Sequence, residues 1–372
     1  MRRWLVAVSL ALTLPANAQE APVLEANRAG AVHEVGLRFD ADTPRRPSPV
    51  IWRRQVVAAG TNYFRLHFRR EGDPFPEGAK VHIFPENGDR VVLDLNGLPE
   101  EGYWTALLPG ASANLAIESR TPPSQNAIFM VDKLSQQSTE AVLYSTHGDL
   151  QLQDILAAEV PDNIRALSGP VALLSFFDAQ IPRTCSGFLI EPALLVTNEH
   201  CIRSEENCST MAALFGYRRN GQGTEFGPQV RCAGWTPLQS SFELDLTVIR
   251  LTAAPGAEYG VVSLPDAPPP PDGPLAIVQH AGDFPQQVSI VDCAAGDAPV
   301  AGRVSDTDFT HTCDTAKGSS GSPVFNQDGE LIGVHHFGFN DAPGSIWSKN
   351  RGVLGEPAIE WLLGQSSMHS NE

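Results

Sequence analysis

From Val171 to Phe337 the chain is a series of short apolar runs, among them Val171–Phe177, Leu194–Val196 and Leu246–Leu251, broken by turn residues. Almost no stretch before Glu356 repeats its apolar residues at helical spacing. Nothing there can supply the crossover helices that parallel strands require. With 32 Gly, 30 Pro and only 19% charged residues, the composition suits a loop-rich β protein better than a helical one. The fold class that follows is all-β, with antiparallel strands.

Residues 19 to 135 keep the same rhythm without any catalytic pattern. Strand-like runs occur at Tyr63–Phe68, Lys80–Phe84, Arg90–Leu95, Tyr103–Leu108, Asn114–Glu118 and Ala127–Val131, with Asn87-Gly88 and Asn96-Gly97 as turn signals. They predict a small antiparallel β-sandwich. Residues 136–169 turn polar, then briefly helical around Asp154–Val160, and form the connection to a unit spanning residues 170–364. A short helix closes that unit at Glu356–Gly364, with Pro357 in its first turn and Gly364 at its stop. Residues 365–372 read as a tail.

Residues 1–18 have the layout of a secretory signal: Arg2-Arg3, an apolar run from Trp4 to Leu14, and Ala16-Asn17-Ala18 as the small-residue cleavage site. The run is too short to span a bilayer. Cleavage after Ala18 would move the net charge from −17 to −19 by removing two arginines. So acidic a chain disfavours nucleic acid as a partner, and no membrane segment follows. The expected location is periplasmic or secreted. The six cysteines, all between Cys185 and Cys313, fit an oxidising compartment.

Chemistry gathers at three places. Gly318-Ser319-Ser320-Gly321-Ser322-Pro323 reads as a tight loop that presents one hydroxyl and then enters a strand. Ser320 is the candidate nucleophile. A Cβ at position 318 would obstruct the substrate, whereas Gly318 lets its N–H converge with that of Ser320 on a developing oxyanion. A serine hydroxyl also needs an imidazole to take its proton and a buried carboxylate to hold that imidazole. His200 follows an apolar strand and precedes Cys201; Asp245 heads the apolar run Leu246–Leu251.

The blocks Thr197-Asn198-Glu199-His200-Cys201, Asp245-Leu246-Thr247-Val248-Ile249-Arg250-Leu251 and Gly318–Pro323, in the order His, Asp, Ser, resemble those of the chymotrypsin-like (trypsin-fold) serine endopeptidases. The bacterial secreted branch, which includes the glutamyl and lysyl endopeptidases, is the nearer match. The resemblance covers residues 165 to 365. It implies two six-stranded antiparallel β-barrels, with the Pro265–Pro274 run crossing between them. It also implies His200 as general base, Asp245 as its orienter, Ser320 as nucleophile and Gly318 with Ser320 as the oxyanion hole. Polypeptides would be the substrates, with no cofactor and no metal. Of the fifteen possible pairings, Cys185–Cys201, Cys208–Cys232 and Cys293–Cys313 are favoured; the first resembles the family's bridge beside the catalytic His. Ser319 stands where the animal digestive enzymes carry an Asp, so activation by a new N-terminal amine is unavailable.

The substrate pocket draws on Asp314, Thr315, His335, His336, Phe337 and Gly338, the last three also pairing with the substrate backbone. Asp314 matches a position that attracts Lys or Arg in trypsin-like enzymes. Thr315 and His335 match residues that bind a carboxylate in glutamyl endopeptidases. Acidic, basic and neutral preferences all stay open. Two other classes remain: a non-catalytic protease homologue acting as a binding protein, and an esterase of the other serine fold. The esterase would need a parallel sheet flanked by helices and a Gly-x-Ser-x-Gly elbow.

Overall fold

A strand that alternates apolar and polar side chains buries only one face, so two such sheets must meet face to face. The computed structural model describes residues 25–44, 46, 49–137, 144–339 and 348–369; the proposed leader lies outside them. In the N-terminal part, one sheet holds Gly30–Phe39, Ile128–Gln137, Tyr63–Glu71, Tyr103–Trp104 and Leu108–Pro109; the other holds Val50–Val57, Ser112–Glu118, Lys80–Pro85 and Val91–Asp94. Phe39, Trp52, Phe68, Val81, Ile117 and Phe129 share the core between them.

This is the expected sandwich, with two strands that the pattern does not reveal. Gly30–Phe39 interleaves His33, Glu34 and Arg38 with its apolar residues and pairs on one side only. Val50–Val57 carries a register shift between Val50 and Trp52, which lets the consecutive Ile51 and Trp52 both point inward and spoils strict alternation. The single run expected at Tyr103–Leu108 breaks into two short strands flanking Thr105, whose Oγ1 accepts the Leu66 N–H at 3.0 Å.

The first barrel consists of Val171–Asp178, Ile181–Glu191, Leu194–Thr197, Ala212–Phe215, Gln229–Gly234 and Leu246–Leu251. Pairing between Ile181–Glu191 and Leu194–Thr197 closes it. The second is a seven-stranded sheet in the order Gln153–Asp154, Gln287–Ser289, Leu275–Gln279, Pro323–Asn326, Leu331–Phe337, Asn350–Leu354, Asp308–His311. Six of these strands come from residues 170–364, as expected, and isolated bridges at Pro274–Ala294, Ala295–His311 and Val300–Asp308 add to them. The proline-rich run lies between the last strand of the first barrel and Leu275.

Two local expectations change. Residues 155–160 are turns after the Gln153–Asp154 strand, and the helix comes one step later, at Asp162–Ala166, because Pro161 fits only the entry to a helix. The C-terminal helix runs through Gly364 to His369. A helical glycine costs only about 1 kcal/mol, and burial of Ile359 and Leu362 under the second barrel opposes that cost. No helix among the described residues is long and apolar enough to cross a membrane.

The sandwich docks on the first barrel through Arg65, which is 2% exposed. Its guanidinium donates to Thr105 O at 2.7 Å, Ser175 O at 3.2 Å and Thr210 O at 2.7 Å, and lies 4.9 Å from the Phe177 ring centre. Gln229 exchanges two hydrogen bonds with the Leu107 backbone, at 2.8 and 2.7 Å. Tyr63 and Leu107 pack with Leu173, Leu214 and Tyr217 across the junction. Arg65→Ala is therefore expected to remove a donor from three carbonyls, of which Thr210 O keeps Arg231, and to destabilise the full chain by about 3 kcal/mol. Urea unfolding followed by tryptophan fluorescence measures this; an unchanged midpoint would remove Arg65 from the junction's energetics.

Candidate active site

His200 sits in a turn after Leu194–Thr197, where the amides of Cys201 and Ile202 both donate to Asn198 O. The Cys185–Cys201 disulfide ties that turn to the neighbouring strand. Asp245 faces it from the start of the last barrel strand, with φ of 51°, a left-handed conformation that Asp tolerates better than most residues. Its backbone carbonyl accepts from Glu199 N at 3.0 Å and Asn198 Nδ2 at 2.9 Å. Its carboxylate receives His200 Nδ1 at 2.8 Å and His200 N at 3.0 Å. Asp245 is fully buried. Burial by itself would raise its carboxyl; the charge and hydrogen bond of His200, then His336, outweigh this and hold it well below the usual carboxylate range.

The serine loop docks against the same strands. Ser186 N donates to Ser320 O at 2.8 Å, and Gly321 N to His335 O at 2.9 Å. Gly321 has φ of 85°, and a Cβ there would come within 2.2 Å of Ser186 O and 2.4 Å of Thr197 Oγ1, three residues before His200. Only glycine fits between the loop and that strand. Gly318, with φ of 97°, lies over His280 O and Asp283. The amides of Gly318 and Ser320 have no partner among the described residues, while the Gly318 carbonyl turns away to accept from Ser186 Oγ at 2.9 Å. Two such N–H groups, two positions apart and without a partner among the described residues, are what an oxyanion needs. Ser319 is buried, and its Oγ accepts the Ala316 N–H at 3.0 Å, closing the loop locally without an ion pair. No hydrogen bond joins Ser320 Oγ to His200 among the described residues.

The pocket residues divide. Both oxygens of Asp314 are taken by backbone amides of the preceding segment, His147 N at 3.3 Å and Gln151 N at 2.7 Å. That segment also adds a strand: Tyr144–Ser145 pairs with Thr315–Ala316. A Cβ on Gly338 would lie 2.5 Å from Ser145 Oγ and 3.4 Å from Thr315 Oγ1, a hydroxyl that is buried with no partner. His335 Nδ1 meets His311 Nε2 at 3.1 Å; burial, then the neighbouring His311 and His336, hold the His335 ring well below its ordinary value. His336 does not turn toward Thr315 but reaches Asp245 and Asp308. Phe337 ends its strand half-buried.

Disulfides join Cys185 to Cys201, Cys208 to Cys232 and Cys293 to Cys313, the favoured pairings. Cys185, His200 and Cys201 form the one close group of metal-ligand types among the described residues, and both its sulfurs are spent in a disulfide. Sequence reasoning misses Arg303, Asp308, Ser145 and His147, because each reaches the site from a separate loop or strand with no motif to mark it.

Residues 185–334 match the family model of the trypsin-like peptidase domain. The match, over less than half of the chain, supports a trypsin-like peptidase domain and a proteolytic hydrolase. The uncharacterized protein y4fB of Sinorhizobium fredii is 30% identical over 172 residues, covering 42% of this chain and 25% of its own. An extracellular metalloprotease of Bacillus subtilis is 28% identical over 149 residues, covering 38% of this chain and 45% of its own. The chain thus spans less than half the length of either relative. Among solved structures, a Glu endopeptidase in complex with MPD is 19% identical with a TM-score of 0.42, covering 59% of this chain and 98% of its own.

Asp283, beneath Gly318, generates a test by pH. It is buried, accepts from Asn27 Nδ2 at 2.9 Å and touches Thr184 Oγ1. Burial raises its carboxyl from 3.8 to about 7, against the opposing hydrogen bonds of Thr184 and Asn27. A folded-state value above the unfolded one means that the native form keeps the proton longer. The associated stability is complete below pH 3.8 and lost as pH rises through about 7. The loss amounts to roughly 4 kcal/mol at most. Asp283→Asn should lack this slope, so the wild type should fall relative to it in urea unfolding between acidic and mildly alkaline pH. Parallel curves would show that Asp283 does not titrate there.

Proposed function

We propose that residues 170–364 are a serine endopeptidase that works through an acyl-enzyme. Ser320 attacks the peptide carbonyl, His200 takes its proton and passes it to the leaving amine, and Asp245 holds the imidazole in the tautomer whose Nε2 is open. The Gly318 and Ser320 amides receive the oxyanion. The observation that carries this reading is the buried His200–Asp245 pair at 2.8 Å beside a serine loop with two unpartnered amides. The missing Ser320–His200 hydrogen bond favours the alternative of a non-catalytic binding protein. Catalytic hydrogen bonds are often long without substrate and tighten once it binds. The leader-like residues 1–18 and the three disulfides support export to the periplasm or beyond.

For specificity, the engaged oxygens of Asp314 leave no carboxylate open to a basic side chain, whereas the unpartnered Thr315 Oγ1 can donate. A hydrogen-bond acceptor before the scissile bond, above all Glu, is the preference that this chemistry supports. The mature protein is expected to react with a fluorophosphonate probe, and Ser320→Ala to abolish labelling and to lower kcat by about 10⁶. A folded wild type that never labels would overturn the enzymatic reading. Mapping cuts in a denatured protein mixture by mass spectrometry should return mainly sites after Glu; sites after Lys or Arg would restore Asp314 as the selector.

A further inference from the structure

Behind the His200–Asp245 pair lies buried charge that a three-residue mechanism does not use. Asp245 Oδ2 accepts from His336 Nδ1 at 3.2 Å in addition to His200. The other ring nitrogen of His336 meets Asp308 Oδ2 at 2.8 Å, and Thr307 Oγ1 donates to Asp308 Oδ1 at 3.0 Å. On the remaining side, Arg303 Nη2 lies 3.0 Å from Asp245 Oδ1. Arg303 is itself fixed by Glu199 Oε2 at 2.7 Å and Phe242 O at 3.0 Å, with its guanidinium 4.4 Å from the Phe242 ring centre.

An imidazole between two buried carboxylates is a cation. Burial alone would push the His336 ring down, but the charge of Asp308 and the hydrogen bond and charge of Asp245 outweigh it and raise the ring to about 9. His336 and Arg303 thus set two positive charges against Asp245. Around this pair lie the Cys185–Cys201 disulfide, the His335 ring and two further acids, Glu199 on Arg303 and Asp308 on His336, each of which offsets part of its partner's positive charge. A lone carboxylate would offer its whole charge to His200. One shared with two cations has less of it to offer any single partner.

We propose that His336 and Arg303 are positioning residues that clamp Asp245 and share its charge, so that peptide hydrolysis persists into acidic solution. The inference rests on the serine-endopeptidase reading above. It adds a residue from each of two further segments to the site, neither of which needs to touch the substrate.

The test is the acid limb of the pH profile of kcat/KM, which reports the free enzyme. His336→Gln and Arg303→Met should each move that limb upward by about one pH unit or more. Arg303→Lys, which keeps the charge, should restore most of the wild-type position. A merely structural role would lower the rate at every pH and leave the limb in place. Fluorophosphonate labelling at alkaline pH checks that each variant has kept its site. Independently, ring ¹⁵N NMR of Ser320→Ala at neutral pH should show His336 protonated on both nitrogens. Coincident limbs in variants that label, or a neutral His336 ring, overturn the proposal alone. A wild type that neither labels nor hydrolyses any peptide removes the enzymatic reading, and this proposal with it.

Discussion

A carboxylate sealed from water is tolerable only when its lone pairs are met by donors, and Asp245 is the point at which this chain pays that cost. Its donors come from far apart: the ring and amide of His200 in the first barrel, His336 on a strand of the second, and Arg303 in a loop of the second. Each can reach the acid only when the two barrels meet along one cleft. The same requirement fixes the left-handed turn at Asp245 and the grip of Asn198 and Glu199 on its carbonyl. A buried pair without these extra donors would be easier to build and easier to lose.

Other long-range constraints converge on the cleft. Gly321 admits the serine loop against the strand before His200, and Ser319 ties that loop to Ala316 where an ion pair might otherwise have been needed. The connecting segment is part of the site rather than a tether: its Tyr144–Ser145 strand pairs with Thr315–Ala316, and its amides at His147 and Gln151 cap Asp314. The sandwich, through Arg65 and Gln229, buttresses the opposite side of the first barrel. Sandwich, connection and peptidase are thus packed as one body whose parts share hydrogen bonds.

Much of this was legible in advance. Strand-like runs announced most sandwich strands; they missed one where a register shift let Ile51 and Trp52 both face inward and one where an edge strand carried His33, Glu34 and Arg38 among its ten residues. The His200, Asp245 and Ser320 blocks were legible because each is a local pattern of strand, turn and reactive side chain. The side-chain partners of Asp314 and His336 were not legible. Their residue types suit a pocket, but a carboxylate or an imidazole takes whatever partner the fold brings near. For Asp314 these are two backbone amides, and for His336 they are two acids.

The sequence by itself determined the antiparallel β character, the order of the reactive residues and the cysteines available for pairing, since periodicity, turn chemistry and motif are properties of neighbouring residues. Only the tertiary structure decided which charges share a buried space: Arg303 and His336 on Asp245, Asp308 on His336, Arg65 across the junction. Electrostatic energy depends on separation and on exclusion of water, and neither quantity exists until strands distant along the chain have packed.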